Sequence, residues 1–246
     1  MTAILAFEGV DYRYEGHEAL ALQRLDLEIP AGEKIAVIGR NGAGKSTLFL
    51  LCNGLYRPTA GTVRFAGRAL NYDARGLREL RQRVGIVFPN PDDQLFSASV
   101  AEDISFGPLN LGLPAAEVRR RVASAAQMCE VEAFLDRPVH ALSSGEKARV
   151  AMAGVLAMEP EVVAVDELVA NLDPWVAERI FAIFDQLHAQ GKTVLLSTHN
   201  LQVAREWATW VIVMERGRAA FAGTLAALLA DREVLDRTGL AQVWHC

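Results

Sequence analysis

Three short stretches carry residue types that together could hydrolyse a nucleoside triphosphate. Gly39-Arg40-Asn41-Gly42-Ala43-Gly44-Lys45-Ser46-Thr47 sets a cation and hydroxyls among glycines. Val165-Asp166-Glu167 supplies two adjacent carboxylates, and Ser197-Thr198-His199 an imidazole. In the first stretch Gly39, Gly42 and Gly44 allow positive φ, so that backbone N–H groups curl around phosphate oxygens. Lys45 reaches the β- and γ-phosphates, and the Ser46 hydroxyl suits a Mg²⁺ ligand. In the second, Asp166 can hold Mg²⁺ through water, and Glu167 can polarise the water that attacks the γ-phosphate. An adjacent acidic pair is ordinarily a solvated loop. Four apolar residues before it, far downstream of a phosphate-binding loop, give this pair its second meaning. His199 follows another apolar run and would sit beside the γ-phosphate on a neighbouring strand.

These groups need strands that deliver them to one edge of a sheet. Lys34-Ile35-Ala36-Val37-Ile38 precedes the glycine loop and Leu48-Phe49-Leu50-Leu51 follows it, which reads as strand, loop and helix. The helix adds the positive end of its dipole at the phosphates. Glu161 to Glu167 and Thr193 to Ser197 are continuous apolar runs of the kind buried in a parallel sheet. Ahead of them, Ile4 to Tyr14 and Leu20 to Ile29 alternate in polarity about a turn at Glu15-Gly16-His17-Glu18, predicting an antiparallel hairpin. Thr62 to Phe65 and Val84 to Phe88 read as further strands, and Leu77 to Arg83 as a basic helix or loop. From Pro89 to Leu113, Pro, Asp, Asn and Gly cluster and predict a loop. Pro114 then opens a helix to about Val131, and a second runs from Glu146 to Met158 after Ser143-Ser144-Gly145. The expected organisation is one α/β domain over 1–246. Residues 1–90 and 159–246 form its core and antiparallel part, and 91–158 a helical insertion. Downstream, Pro174 to Ala189 and Leu201 to Trp207 predict helices, Trp210 to Met214 and Ala219 to Ala222 strands. A last helix runs from Thr224 to Asp231, with a tail too short for another domain.

Composition narrows the function classes. A net charge of −5 over 246 residues argues against a nucleic-acid binder, which needs a basic field. Hydrophobic residues at 51% supply a core, and charged residues at 22% are ordinary for a globular chain. Cys52, Cys129 and Cys246 are far apart and read as free thiols of a reducing compartment. His17, His140, His188, His199 and His245 show no ligand spacing. The N-terminus lacks the charged-then-apolar order of a signal peptide, and no apolar run approaches the roughly 20 residues that span a bilayer. A cytoplasmic chain is expected, with any membrane role exercised through a partner.

The order of motifs resembles one family. Leu142-Ser143-Ser144-Gly145-Glu146-Lys147 is similar to the signature motif of ABC ATPases, Asn171-Leu172-Asp173 to their D-loop, and Ser197-Thr198-His199 to their switch-histidine loop. Tyr14 matches the A-loop aromatic that stacks on adenine. The resemblance covers nearly the whole chain. It implies a P-loop NTPase fold of the ABC type: a RecA-like core, an N-terminal antiparallel β subdomain and an inserted α-helical subdomain. It also implies ATP and Mg²⁺ as ligands and a head-to-tail pair of ATPase domains, as a homodimer or with a paired homologue. There Ser143, Ser144, Gly145 and Asp173 of one domain face the nucleotide of the other. A narrower resemblance, carried by Asn90-Pro91-Asp92-Asp93-Gln94-Leu95-Phe96, Val100 to Ile104 and Phe106 to Leu113, is to the ATPases of energy-coupling-factor (ECF) importers. It implies a transmembrane coupling protein, a substrate-capturing membrane protein, and a peripheral place on the cytoplasmic face of the membrane. Cobalt or nickel is the implied cargo, with a vitamin such as biotin as the alternative.

The chain departs from the family pattern at three places. Pro89 stands where the Q-loop glutamine is usual and offers no side-chain amide. Ser144 replaces the first signature glycine and Glu146 the signature glutamine. Leu168-Val169 replace a proline-threonine pair after the acidic dyad. The first two motivate a second reading, in which the chain binds ATP and clamps a dimer while a companion does most of the hydrolysis. A soluble ABC protein acting on DNA or ribosomes would need a basic surface, a coiled coil or a second ATPase domain, and the sequence has none.

Overall fold

The computed structural model describes residues 2–240; His245 and Cys246 lie outside them, as does the side chain of Asn171. The chain begins with strands β1 (Ala3–Tyr12), β2 (Leu22–Pro30) and β3 (Lys34–Ile38), then helix α1 (Lys45–Cys52). β4 (Ala60–Phe65), β5 (Arg68–Ala69), α2 (Ala74–Arg83) and β6 (Val84–Val87) follow. Three helices come next: α3 (Val100–Asn110), α4 (Ala115–Met128) and α5 (Ser144–Leu156). β7 (Val162–Asp166), α6 (Pro174–Ala189), β8 (Thr193–Thr198) and α7 (Leu201–Trp207) lead to β9 (Trp210–Glu215) and β10 (Arg218–Thr224). α8 (Leu225–Ala230) and α9 (Arg232–Thr238) end the described chain.

Two sheets form. One is antiparallel, in the order β2-β1-β4-β5. The other runs β10-β9-β3-β8-β7-β6, parallel throughout except for the β9–β10 pair. Every residue of β7 and of β8 is buried, as expected of parallel strands covered by helices on both faces. β1 instead turns Leu5, Phe7 and Val10 inward and Glu8 outward. Since β3, β7 and β8 are mutually parallel, their C-terminal ends reach one edge, where ligands of open α/β sheets bind. The glycine loop, Asp166-Glu167 and Thr198-His199 all emerge there.

The expected hairpin forms, but Arg13 to Ala21 all lie between its strands, and β1 also pairs with β4. The stretch read as loop from Pro89 to Leu113 contains the three-turn helix α3. Beyond the helix predicted to end at Asp231 lies a further one, α9, started by the Asp231 carboxylate accepting from Val234 N–H at 3.0 Å.

Two of the three inserted helices, α4 and α5, are joined by a buried cation. Arg149 of α5 is 7% exposed, and its Nη1 donates to the carbonyls of Cys129 (3.2 Å) and Glu130 (2.6 Å) at the end of α4. Those carbonyls have no partner within their own helix, so the guanidinium satisfies them. Arg149→Ala strands the carbonyl of buried Cys129 beside a new cavity and should lower unfolding free energy by about 2–4 kcal/mol. A urea midpoint unchanged from the parent would contradict this.

Candidate nucleotide site

The glycine loop takes its shape from close approach. Gly39 has φ of +157°, and a Cβ there would lie 2.4 Å from the Met214 carbonyl of β9, so no other residue fits without moving that strand. Helix α1 starts at Lys45, which aims its first free N–H groups back into the loop. Lys45 is 5% exposed, and its Nζ donates to the carbonyls of Gly39 (3.0 Å) and Arg40 (3.4 Å). The same ammonium lies 3.2 Å from Glu167 Oε1, so a carboxylate of the second motif already meets the cation of the first.

Asp166 ends β7 and is buried; Ser197 of β8 stands opposite it in the ladder. The Ser197 hydroxyl donates to Asp166 Oδ1 and accepts the Glu167 N–H at 2.9 Å. One serine thus orients a carboxylate and the backbone of its neighbour. Glu167 has φ of +45°, a conformation that costs a non-glycine residue about 1–3 kcal/mol and clusters at functional sites. The turn it opens is pinned below by Leu168 and Val169, both buried in the core. That burial accounts for apolar residues where the family has proline and threonine.

A cavity of about 380 Å³ joins these parts. Asn41, Gly42, Gly44, Lys45, Ser46 and Thr47 form one wall, and Asp166 and Glu167 another. Tyr14, Ala21 and Pro89 complete it. The Tyr14 hydroxyl is hydrogen-bonded to Thr47 Oγ1 (2.9 Å), and its ring stands edge-on to Tyr12 and Tyr56, with centroids 5.1 and 5.6 Å away. Gly39, Arg40 and Ala43 shape the loop without lining the cavity. His199 leaves β8 at the same sheet edge, exposed and outside the lining. Pro89 does line the cavity, and Gln94 does not replace the missing amide: both ends of its side chain are engaged elsewhere.

The remaining predicted residues lie away from this cavity. Ser143 and Ser144 are exposed at the start of α5, and Gly145 is buried against Val176 of α6. Ser143 is the N-cap of a capping box: its hydroxyl accepts from Glu146 N–H (3.3 Å), and Glu146 Oε2 accepts from Ser143 N–H (2.7 Å). That backbone hydrogen bond, followed by Ser143's side chain and Arg137, holds the Glu146 carboxyl below its usual range. Glutamate in place of glutamine therefore strengthens the start of this helix. Asp173 caps α6, accepting from Val176 N–H at 3.1 Å. The thiols of Cys52 and Cys129 are buried, and burial pushes the latter up to about 12, which makes it inert.

The hydrogen bonds of Ser197 to Asp166 and to the Glu167 backbone are contacts at this site that the sequence did not single out. Ser197 is 31 residues from Asp166, and only the β7–β8 register joins them.

Comparison with known proteins agrees with this geometry. The ABC transporter family model matches residues 22–170. A cobalt import ATP-binding protein, CbiO of Rhodobacter capsulatus, is 45% identical over 240 residues, covering 98% of this chain and 85% of the relative. An energy-coupling factor transporter ATP-binding protein, EcfA2 of Methanospirillum hungatei, is 42% identical over 240 residues, 98% of this chain and 60% of that longer protein. Among solved structures, cbiO1 of Clostridium perfringens, described as part of the ABC transporter complex cbiONQ, superposes with a TM-score of 0.83 at 38% identity. The superposition covers 100% of this chain and 98% of the other. Phosphate loop, acidic dyad, helical insertion and these similarities converge: the chain belongs to the ABC transporter ATP-binding family and is an ATPase of it.

Proposed function

We propose that this chain is the ATP-hydrolysing subunit of an ECF-type importer and powers uptake of a transition-metal ion, cobalt or nickel. The observation that carries the coupling half of this reading is an apolar surface formed by α3 and the segment just before it. Phe96 (64% exposed) and Phe106 (49%) stand edge-to-face at 4.7 Å, with Leu109 (58%) on the same helix as Phe106. Large exposed apolar groups gathered in this way mark protein contacts. The segment that leads to them starts at Pro89, a wall of the nucleotide cavity. Among the described residues no helix is long and apolar enough to cross a membrane, so in this reading the bilayer is crossed by the partner.

In the chemistry proposed, loop N–H groups of Gly42 and Gly44 and the Lys45 ammonium bind the phosphates, and Tyr14 presents its ring to the adenine. Ser46 and Asp166 offer a hydroxyl and a carboxylate on one cavity, the hard oxygen donors that suit Mg²⁺. Bound there, Mg²⁺ would neutralise charge on the phosphate oxygens. Glu167 accepts the proton of the attacking water and His199 orients the γ-phosphate side of the site. Ser143, Ser144, Gly145 and Asp173, exposed or at a helix start away from the cavity, complete the site of a second copy or a paired homologue. The cargo is handled by the membrane partners, on whose inner face the chain sits. The similarity to a cobalt import ATP-binding protein supports a metal ion; a vitamin such as biotin is the alternative within the energy-coupling-factor reading.

Co-expression with a membrane coupling protein tests the reading. The parent chain should co-purify in detergent, and Phe96→Ser with Phe106→Ser should reduce recovery at least about tenfold, as expected when central aromatic anchors are lost. A parent chain that never co-purifies would overturn it.

A further inference from the structure

The segment from Pro89 to Leu95 is fastened to α5 by side chains that take no part in the nucleotide cavity. Gln94 spends both ends of its amide: Oε1 accepts from Phe88 N–H at 3.2 Å, and Nε2 donates to the Ala151 carbonyl at 2.9 Å. Lys147 Nζ donates to Asp92 Oδ1 at 2.6 Å. Lys147 and Ala151 are four residues apart, so the two fastenings fall on successive turns of one face of α5. Ahead of them Asn90 closes the turn, its Oδ1 accepting from Asp92 N–H (3.2 Å) and its carbonyl from Asp93 N–H (3.1 Å). One end of this segment is Pro89, a cavity wall. At the other end of the linkage, α5 begins with Ser144, capped by Ser143.

We propose that Gln94 and the Asp92–Lys147 pair are positioning residues that lock the nucleotide-cavity wall to the helix carrying Ser143 and Ser144. The proposal rests on the reading above, that the start of α5 completes a second copy's nucleotide site. Pro89 has no amide with which to sense what occupies the cavity. The connection from cavity to helix then runs through a segment held rigidly rather than through a side chain reaching into the site. Proline limits the backbone at one end, and Gln94 holds the other against a helix carbonyl. With those fastenings in place, displacement of the wall becomes displacement of α5. Without them, the two can move independently, and the register of Ser143 and Ser144 against the opposite nucleotide is lost.

The decisive experiment is a charge swap, since Asp92 is exposed and Lys147 only partly buried, so each variant should fold. Asp92→Lys, Lys147→Asp and the double swap are compared with the parent, together with Gln94→Leu, each checked by its thermal melt. MgATP affinity is measured by titration calorimetry in a Glu167→Gln background, and ATP-dependent dimer mass by light scattering. Turnover is measured with Glu167 intact. Each single variant should leave MgATP affinity within about twofold while lowering both dimer fraction and turnover about fivefold, the size of effect expected for residues that transmit coupling. The double swap should restore both. A double swap showing the full product of the single losses, or single variants matching the parent, would overturn the proposal. Ser143→Arg separates the two ideas: if it leaves ATP-driven dimerisation intact, the head-to-tail reading itself fails. If it abolishes dimerisation while the swap restores nothing, only the fastening is refuted.

Discussion

Glu167→Gln should lower MgATP turnover by about 10²–10³-fold while leaving ATP binding near that of the parent, because a carboxamide cannot accept the proton of an attacking water. Three features of the site support so large an effect. Glu167 lines the cavity beside Asp166, its backbone is held by Ser197, and its carboxylate lies 3.2 Å from Lys45. The substitution is nearly isosteric and keeps the Ser197 hydrogen bond, which is made by the backbone N–H. The loss therefore reports on proton transfer rather than on folding. An ATP-loaded dimer should accumulate in the variant and be visible as doubled mass. Turnover within about threefold of the parent would instead favour the nucleotide-gated partner, since an effect that small is far below the usual contribution of a general base.

What could be read in the sequence was what is contiguous in it. The glycine loop and the acidic dyad each sit within a few residues, after strands whose apolar runs are unbroken, so local order carries the chemistry. Contacts made by tertiary pairing were not legible in the same way. Ser197 meets Asp166 only because β7 and β8 are neighbours in register, and the amide of Gln94 finds the Ala151 carbonyl 57 residues away.

Helix α3 was obscured for a different reason. Its sequence, Val100 to Asn110, contains Gly107 and Pro108, which in isolation signal a loop. The start is nonetheless well specified: Ser99 Oγ accepts from Glu102 N–H at 3.3 Å, and Glu102 and Asp103 sit in the first turn, favourable to the helix dipole. Gly107 is there because a Cβ would lie 2.7 Å from Met158 Cγ and 2.8 Å from its sulfur. The glycine leaves room for the Met158 side chain, just beyond α5, to pack on α3, and it lies inside the helix rather than in a turn. Asp103, buried and accepting from the N–H groups of Phe96 and Ser97, ties the helix to the segment before it. The Ser99 cap and the Asp103 contacts are local; the packing of Gly107 on Met158 joins residues far apart in sequence and so was not legible.

Lys45→Ala should weaken ATP binding by roughly 10²-fold, the expected loss of a charge-assisted hydrogen bond to phosphate in a shielded site, and abolish measurable turnover. The ammonium is buried among the carbonyls of Gly39 and Arg40 and the Glu167 carboxylate, all acceptors or anions. Removing it deletes an attraction and also exposes an incoming triphosphate to an uncompensated carboxylate. The second contribution can be isolated. In the Lys45→Ala, Glu167→Gln double variant that carboxylate is neutral, so ATP should bind more tightly than to Lys45→Ala alone, although Glu167→Gln by itself changes affinity little. Such non-additivity is the signature of two groups in direct contact. Calorimetric titration of the four proteins measures it directly. A double variant that binds ATP no better than Lys45→Ala would mean that the 3.2 Å pair carries no energetic coupling. The whole loss would then belong to the phosphate contact of the lysine.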